Sequence, residues 1–379
     1  MAQVSPIKVM TIFGTRPEAI KMAPVIKALQ SYPDKIDVKI CVTAQHRELL
    51  DQVLDVFQIQ PDYDLDMMRE GQTLSYLTAN ILTKLDPILQ EEQPDWILVQ
   101  GDTTTVMTAA IAGFYHRIRI GHIEAGLRTG DKYSPYPEEF NRRIADQISD
   151  LHFAPTERTR DNLLREGFSP ETVHVTGNTV IDALLTIVDR EEPEVSAKWD
   201  RLLIPDRRLI IVTAHRRENF GEPFEQICQA LLDLAKKYAS SIQIVYPVHP
   251  NPNVKERAYS VLSEMDNIIL TEPLDYLPFV HLLNKAYLIL TDSGGIQEEA
   301  PSLGLPVLVL RESTERPEGV EAGTLKIVGT DRRRIVEEAS RLLDDPVAYE
   351  KMAAIANPYG DGRAGQRIVE LICHYHDQT

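Results

Sequence analysis

An α/β fold with parallel sheets is predicted by a regular alternation along the chain. Short apolar runs rich in β-forming residues alternate with longer segments of helical period almost throughout the 379 residues. Strands bounded by turn residues and joined by helices of this length form βαβ units, and such units build parallel sheets. Runs such as residues 242–245 are almost uninterrupted, which is typical of strands covered on both faces. The length predicts two such domains.

Both halves of the chain repeat this alternation. In the first half the predicted strands are residues 7–13, 38–43, 96–100, 119–124, 151–155 and 173–176. The predicted helices between them are residues 17–30, 46–57, 73–91, 103–115, 138–149 and 157–166. In the second half the predicted strands are residues 209–214, 242–248, 268–270, 287–291, 307–310 and 325–328.

Two segments predict how the halves are connected. Residues 190–196 are charged and contain Pro193, which predicts an exposed segment near the domain boundary. A last helix over about residues 363–374 is expected to return to the first domain. The predicted domains are therefore residues 1–185 together with 360–379, and residues 186–359.

The composition excludes several classes of function. The chain carries 57 acidic and 40 basic residues, a formal charge of −17, which argues against nucleic acid or an anionic membrane as the main partner. Cys41, Cys228 and Cys373 lack the spacing of metal ligands, and a sparse, odd count is typical of a reducing cytoplasm. No apolar run reaches membrane-spanning length. We therefore expect a cytoplasmic protein that acts on small molecules and binds no metal.

The most informative segment is the turn after the predicted strand 287–291. Ser293, Gly294 and Gly295 follow this strand and a helix begins at once, so backbone N–H groups and the positive end of the helix dipole face one point. Such a turn suits a phosphate, and Glu299 would lie where a carboxylate reaches a ribose diol. Taken alone, the segment is equally an ordinary strand–turn–helix connection.

Charged side chains follow other predicted strands. Arg16 opens the helix after the first strand, where it would bind an anion, and Lys21 lies about one helical turn further along. Asp102 follows a third strand, but an isolated aspartate there is more often a helix N-cap. Glu124 lies among apolar or small neighbours and must be paired or functional if it points inward. Glu138 opens another helix, where capping is its more common role.

In the second half, two histidines follow consecutive predicted strands. His215 is followed by Arg216 and Arg217, and His249 ends the next strand. A single histidine at a strand end is most often structural, but this pair beside two arginines indicates an anion site. Arg316 adds a further cation just after a strand.

A glycine pattern at residues 360–365 matches the dinucleotide fingerprint. The fingerprint requires a strand immediately before it, whereas the preceding residues indicate a helix end and a turn. We therefore predict that the protein uses no nicotinamide cofactor.

Six ordered motifs closely resemble those of the bacterial non-hydrolysing UDP-N-acetylglucosamine 2-epimerases. They are Gly14-Thr15-Arg16-Pro17-Glu18, Gly101-Asp102, His122-Ile123-Glu124-Ala125-Gly126, Tyr136-Pro137-Glu138-Glu139, His215-Arg216-Arg217-Glu218-Asn219 and Asp292-Ser293-Gly294-Gly295-Ile296-Gln297-Glu298-Glu299. The resemblance covers about residues 7–368. It implies a GT-B architecture, with two Rossmann-like domains and an active-site cleft between them, and it implies a homodimer.

The resemblance also implies a reaction, the reversible conversion of UDP-GlcNAc into UDP-ManNAc without NAD or any other cofactor. UDP leaves by anti elimination to give 2-acetamidoglucal, and then adds back while a proton is delivered to the other face of C2. The product would supply ManNAc units for cell-surface polysaccharide.

The roles of the family's residues are carried over by position. The catalytic residues would be Asp102, Glu124, Glu138, His215 and Lys21. The phosphate and uridine contacts would be Arg16, Phe279, Ser293, Gly294, Gly295, Glu299 and Arg316. A second UDP-GlcNAc, the allosteric activator of many bacterial members, would contact Gln45, His46, Gln72, Arg217 and His249. Leu274 departs from the family pattern, where some members have glutamine; a backbone contact would be unaffected.

Three other functions are weighed against the epimerase. A GT-B UDP-sugar glycosyltransferase shares the fold, but it needs an acceptor pocket and only one catalytic base, whereas this chain offers three carboxylates. A hydrolysing 2-epimerase, which releases UDP and free ManNAc, is often fused to a kinase domain for which the sequence has no room. A non-catalytic UDP-sugar sensor would not need Asp102, Glu124 and His215.

Overall fold

The computed structural model describes residues 5–44, 47–67, 69 and 71–378, and these residues form two compact units. The first unit comprises the described residues up to Ala183 together with those from Gly360 onward. The second unit is Leu184–Tyr359. Leu184 and Leu185 thus cluster with the second unit, whereas the sequence-based boundary places them in the first.

The first unit is built on a seven-stranded parallel sheet in the order β3-β2-β1-β4-β5-β6-β7. Its strands are β1 (Ile7–Phe13), β2 (Ile36–Val42), β3 (Tyr63–Asp64), β4 (Trp96–Gln100), β5 (Arg119–Ile123), β6 (Leu151–Ala154) and β7 (Val173–Val175). The sequence does not predict the edge strand β3, because two residues are too short to show periodicity. The central strand β4 is buried along its whole length, as expected of a strand covered on both faces.

Helices connect these strands in chain order. They are α1 (Arg16–Gln30), α2 (Arg47–Phe57), α3 (Leu74–Glu92), α4 (Thr104–Tyr115), α5 (Glu138–Ile148), α6 (Glu157–Arg165) and α7 (Thr179–Val188). In α3, Leu77, Ile81, Leu85 and Leu89 recur every four residues and form one buried apolar stripe that joins the core of the unit.

The second unit repeats the design with a six-stranded parallel sheet in the order β10-β9-β8-β11-β12-β13. Its strands are β8 (Arg208–Thr213), β9 (Ile242–Pro247), β10 (Ile268–Thr271), β11 (Leu288–Thr291), β12 (Val307–Val309) and β13 (Leu325–Ile327). Its helices are α8 (Pro193–Leu202), α9 (Glu222–Lys237), α10 (Pro252–Leu262), α11 (Tyr276–Leu283), α12 (Gly294–Glu299), α13 (Pro317–Ala322), α14 (Arg332–Asp344) and α15 (Pro346–Ala353). The predicted exposed segment 190–196 is partly helical, because Pro193 begins α8 at a position where its missing N–H is harmless.

The chain ends with α16 (Ala364–Asp377), which packs in the first unit. Gly365 allows a close approach to α1, since a Cβ atom there would lie 3.0 Å from the carbonyl oxygen of Pro24. Helix α15 and a turn precede the glycine pattern at 360–365, so the strand of a dinucleotide fingerprint is missing there. Among the helices described, none has the length and apolar composition that crossing a membrane requires.

The predicted α/β fold with two parallel sheets is confirmed, and its topology locates the sites. In each sheet the strand order reverses direction at one point, between β1 and β4 in the first and between β8 and β11 in the second. Open α/β sheets bind ligands beyond the carboxyl ends of the strands at such switch points. The loops that follow these four strands are therefore the places to look for chemistry.

Candidate active site

The loop after β1 lies at the switch point of the first sheet. Its first residue must be small, because a Cβ atom at Gly14 would lie 1.8 Å from a threonine hydroxyl oxygen. The carboxylate of Glu18 accepts hydrogen bonds from the N–H groups of Gly14 (2.9 Å) and Thr15 (2.7 Å) and from the hydroxyl of Thr103 (2.5 Å). Arg16 begins α1 beside them and is half-buried.

The buried Glu18 carboxylate determines what this loop can bind. Burial raises the pKa of Glu18, although the hydrogen bonds from Thr103, Gly14 and Thr15 oppose that change. Because two N–H groups at the start of α1 already donate to Glu18, they are not offered to a phosphate. An anion contact from this loop would therefore come from the guanidinium group of Arg16.

Glu124 and Lys21 form an ion pair beyond the end of β5. Lys21 Nζ lies 2.7 Å from Glu124 Oε1 and 2.5 Å from Oε2, and Gln100 Nε2 also donates to Oε2. The side chain of Glu124 is 7% exposed and that of Lys21 is 17% exposed. The φ angle of Glu124 is +67°, a left-handed conformation that costs a non-glycine residue on the order of 1 kcal/mol. A carboxylate held by two donors at a strained position is typical of a functional group.

Asp102 follows β4, the neighbour of β5, and is more accessible than Glu124. Arg142 Nη2 donates to Asp102 Oδ2 at 2.6 Å, and Asn141 Nδ2 donates to the Asp102 carbonyl oxygen at 3.0 Å. The side chain of Asp102 is 27% exposed, so a ligand can reach it. The N-cap of α4 is Thr103, whose hydroxyl accepts from the next turn, so the capping role weighed for Asp102 is wrong.

Glu138 is the first residue of α5 and is half-buried. Its neighbour Glu139 is fully buried and accepts hydrogen bonds from the N–H of Thr129 (3.1 Å) and from Arg143 Nε (3.2 Å). Within the part of the chain that the structure describes, the Glu138 carboxylate makes no hydrogen bond or ion pair. Glu139 therefore has the structural role at this helix start, and the catalytic role of Glu138 stays a prediction.

In the second unit, Asp292 organises the loop after β8. It is fully buried beyond the end of β11, and its Oδ2 accepts from the N–H groups of His215 and Arg216, both at 2.8 Å. Asn219 Nδ2 donates to the same oxygen at 3.1 Å. One carboxylate thus fixes the backbone that carries two candidate ligand-binding side chains.

The imidazole of His215 lies between two partners. Its Nδ1 is 3.5 Å from Asp292 Oδ1, and its ring stacks on that of His249 with centroids 5.3 Å apart. Burial lowers the pKa of His215; Asp292 opposes this change, whereas His249 and Arg216 add to it. His215 is therefore neutral at neutral pH, and a neutral imidazole can accept a proton.

We expect the His215 imidazole to titrate below the usual histidine pKa of 6.5. As the pH falls, the ring stays neutral until the lowered pKa is reached, and only then gains a charge beside Arg216. Titration of the ring ¹H–¹⁵N NMR signals measures this pKa directly, and the His215→Gln variant assigns the signal. A midpoint above 6.5 would show that the attraction of Asp292 outweighs burial.

Two guanidinium groups face the Ser293–Gly295 turn that begins α12. A Cβ atom at Gly294 would lie 3.6 Å from Arg316 Nη2 and 3.8 Å from Arg216 Nη2. Among the described residues, the N–H groups of Gly294 and Gly295 have no hydrogen-bond partner. Unpaired N–H groups beside two cations are an arrangement suited to a phosphate.

The predicted ribose and uracil contacts lie on neighbouring elements. Glu299 is buried, and its Oε1 accepts from the hydroxyl of Tyr276 at 3.1 Å. Tyr276 and Phe279 are three residues apart on α11, so their side chains share one face of that helix. Glu298, the residue before Glu299, accepts from Arg316 Nε and so holds that guanidinium.

The residues predicted to contact an activator are described only in part. Gln45 and His46 lie outside the described residues. Gln72 is half-buried, and its Oε1 has no hydrogen-bond partner within the described part of the chain. Arg217 is exposed, and His249 stacks on His215. The activator site stays a prediction.

The sequence predicts no role for several side chains that shape these sites. They are Glu18, Gln100, Arg142, Asp292 and Glu298. Glu18, Asp292 and Glu298 lie within the six motifs, whereas Gln100 and Arg142 lie outside them. Two adjacent arginines, however, give no indication which of them faces the Ser293–Gly295 turn.

Comparison with known proteins gives the same family from sequence and from structure. The model of a family described as UDP-N-acetylglucosamine 2-epimerase matches residues 27–373. A UDP-N-acetylglucosamine 2-epimerase of Yersinia pestis is 57% identical over 371 residues, which cover 97% of this chain and 98% of the relative.

Two similar solved structures contain ligands. The UDP-GlcNAc 2-epimerase from Neisseria meningitidis, bound to UDP-GlcNAc, is 51% identical with a TM-score of 0.87, covering 97% of this chain and 100% of that chain. The Staphylococcus aureus protein MnaA, in a structure with UDP, is 50% identical with a TM-score of 0.84, covering 98% of each chain. The chain belongs to the UDP-N-acetylglucosamine 2-epimerases, a family of isomerases with two α/β units of the GT-B type.

Proposed function

We propose that this epimerase interconverts UDP-GlcNAc and UDP-ManNAc by eliminating UDP and adding it back. In the first step the C2–H bond breaks, a base takes the proton, and the electrons of the C1–O bond leave with UDP. A C1=C2 double bond forms, giving 2-acetamidoglucal. In the second step a UDP oxygen adds to C1 while an acid delivers a proton to the other face of C2. The two steps balance without an oxidant.

This route makes two chemical demands on the protein. No carbonyl group adjoins C2, so removal of its proton must be coupled to departure of the diphosphate, whose charge needs preorganised cations. Proton transfers on two faces of C2 need at least two acid or base groups. Carboxylates and phosphate-binding groups are therefore both required.

The first unit has the acid and base groups. Glu124 and Asp102 follow the adjacent strands β5 and β4, and each carboxylate is oriented by a fixed cation, Lys21 at 2.5 Å and Arg142 at 2.6 Å. This pair of oriented carboxylates is the observation that carries the proposal. Glu138 is a third candidate for proton transfer.

The second unit has the features expected of a UDP site. We assign the diphosphate to the Ser293–Gly295 turn with Arg216 and Arg316, the ribose to Glu299, and the uracil ring to the side of Phe279. His215, which precedes Arg216 in the chain, completes the predicted catalytic set. Binding of UDP and UDP-GlcNAc by the two relatives supports this assignment.

Replacing Arg216 with glutamine is expected to weaken UDP binding by about tenfold or more, because a charge-assisted contact contributes roughly 1.5–3 kcal/mol. Isothermal titration calorimetry measures the dissociation constant. Arg333→Gln is the matched control, since Arg333 is an exposed arginine of α14 in the same unit. Equal affinities of the two variants would remove Arg216 from the diphosphate site.

Proton NMR of the protein with UDP-GlcNAc in D₂O, without NAD or added metal, tests the reaction. Deuterium appearing at C2 together with UDP-ManNAc signals is the expected result. Free ManNAc accumulating in step with UDP would indicate the hydrolysing reaction. Absence of exchange at high substrate concentration would favour the glycosyltransferase or the sensor.

We also propose a homodimer and activation by a second UDP-GlcNAc near Gln72, Arg217 and His249. The product would supply ManNAc units for a cell-surface polysaccharide. Sigmoidal dependence of the initial rate on UDP-GlcNAc concentration, abolished in the Arg217→Gln variant, is the expected sign of the activator site.

A further inference from the structure

A buried histidine that is not among the predicted catalytic residues contacts the residue that precedes Asp102. His122, on β5, has no solvent exposure. Its Nδ1 is 2.6 Å from Asp146 Oδ1 and its Nε2 is 2.7 Å from the carbonyl oxygen of Gly101. A carbonyl oxygen and an ionised carboxylate can only accept, so both ring nitrogens must donate. With Asp146 ionised beside Arg128, this geometry favours an imidazolium ion.

The surrounding groups agree with a charged His122. Burial lowers its pKa, but Asp146 and the Gly101 carbonyl outweigh burial and the repulsion of Arg128, so the pKa of His122 is raised. Arg128 Nη1 lies 2.8 Å from the other oxygen of Asp146. His152, on the neighbouring strand β6, faces the Asp146 carbonyl oxygen with Nε2 (2.8 Å) and the Thr172 carbonyl oxygen with Nδ1 (3.3 Å), and burial lowers its pKa. His122 therefore holds its proton to a higher pH than His152.

His122 fixes the peptide that leads into Asp102. The N–H of Gly101 donates to the carbonyl oxygen of Ile123 at 2.9 Å, and its own carbonyl accepts from His122. Both ends of this residue, which has a φ of +84°, are therefore tied to β5. The carbonyl group of Gly101 is part of the peptide that links Gly101 to Asp102. The orientation of this peptide therefore sets the position of the Asp102 Cα atom, from which the side chain extends.

Helix α5 completes the support of Asp102. Asn141 holds the main chain of Asp102 and Arg142 holds its carboxylate, while Asp146 acts one turn later through His122. The buried face of α5 consists mainly of such polar side chains, unlike the apolar stripe of α3. Apolar residues at these buried positions would stabilise the protein more. Buried charged side chains on a helix are therefore typical of residues that orient a functional group.

We infer that His122 is a positioning residue of the epimerase. By donating a hydrogen bond to the Gly101 carbonyl oxygen, it sets the direction in which the Asp102 carboxylate faces the substrate. This inference rests on the proposed function, because the catalytic role of Asp102 does. His122 has no solvent exposure, and it acts through the Gly101 carbonyl oxygen and not on the substrate itself.

Two variants of similar size separate the two contacts of the ring. An asparagine at position 122 can reach Asp146 but not Gly101, whereas a glutamine can replace the Nε2 donor to Gly101. We expect His122→Asn to lower kcat by about tenfold to a hundredfold, the cost of a displaced catalytic group, with the KM for UDP-GlcNAc and the UDP affinity nearly unchanged. His122→Gln should retain clearly more of the wild-type kcat.

The kinetic isotope effect and a double variant distinguish a positioning role of His122 from a purely structural role. With UDP-GlcNAc deuterated at C2, His122→Asn should show a larger kinetic isotope effect on kcat than the wild type, because proton transfer becomes more rate-limiting. In an Asp102→Asn background, His122→Asn should cause no further loss of kcat. Equal kcat and isotope effect in His122→Asn and wild type would overturn the inference.

The protonation state can be measured without any variant that risks misfolding. ¹⁵N NMR of the wild-type histidines at pH 6.5 should show more than half of His122 doubly protonated, and His152 mostly neutral as an internal control. A His122 whose Nε2 carries no proton would overturn the inference, because it could not donate to the Gly101 carbonyl oxygen. A wild-type enzyme that exchanges no C2 hydrogen would instead overturn the proposed function, so the two failures are distinguishable.

Discussion

Replacing Glu124 with glutamine is expected to lower kcat by about a thousandfold and to leave UDP binding intact. Glutamine keeps the shape of the side chain and can still accept one hydrogen bond from Lys21, so the first unit should remain folded. It cannot exchange a proton with C2, and loss of a general acid or base costs about a hundredfold to ten-thousandfold. Steady-state kinetics and calorimetry with UDP measure both quantities.

The control is Glu171→Gln, which removes an exposed carboxylate from the same unit. Its kcat should equal that of the wild type. Retained activity in Glu124→Gln would exclude this carboxylate from proton transfer. If UDP binding is lost along with turnover while the urea unfolding curve is unchanged, Glu124 has a role in binding that we do not assign to it.

Gly126→Ala should destabilise the first unit by about 3 kcal/mol or more. A Cβ atom at Gly126 would lie 2.3 Å from the carbonyl oxygen of Thr159, an atom of α6 backbone that cannot rotate away. The φ angle of +84° adds the cost of a left-handed alanine, roughly 1–2 kcal/mol. Urea denaturation followed by circular dichroism gives the free energy of unfolding.

Gly167 provides a matched control for that experiment. Its φ angle is +94°, but nothing lies within 4 Å of a Cβ atom built there. Gly167→Ala should therefore show only the conformational cost, roughly 1–2 kcal/mol. Equal destabilisation by the two alanines would mean that the contact with Thr159 relaxes at no cost.

The sequence predicts the fold well because its signals are local. Of the strands in the described part of the chain, all but one follow from apolar runs bounded by turn residues, and the alternation with helices dictates a parallel sheet. Strand β3 is missed because its pairing with β2 depends on a distant part of the chain, through two residues without a pattern. The helical character of residues from Pro193 onward is missed because charge and proline indicate exposure and not conformation.

The site is predicted less completely, since its contacts join residues far apart in sequence. Asp292 and His215 are 77 positions apart, and Lys21 and Glu124 are 103 apart, so spacing cannot reveal either contact. Thr103 and Asp102 are both common N-cap residues, and only the backbone after β4 decides between them. In α5, two successive glutamates look alike in the sequence, although one is buried and the other is half-buried.

The internal carboxylate of Glu18 has a consequence for selectivity. Both units place a strand, a turn and a helix at the switch point of a parallel sheet, so each of the two turns resembles a diphosphate site. At the first turn, however, the Glu18 carboxylate accepts from the N–H groups of Gly14 and Thr15, so these two groups are not available to a diphosphate. A single acidic side chain thereby distinguishes two otherwise similar turns, and we expect the nucleotide to bind at Ser293–Gly295.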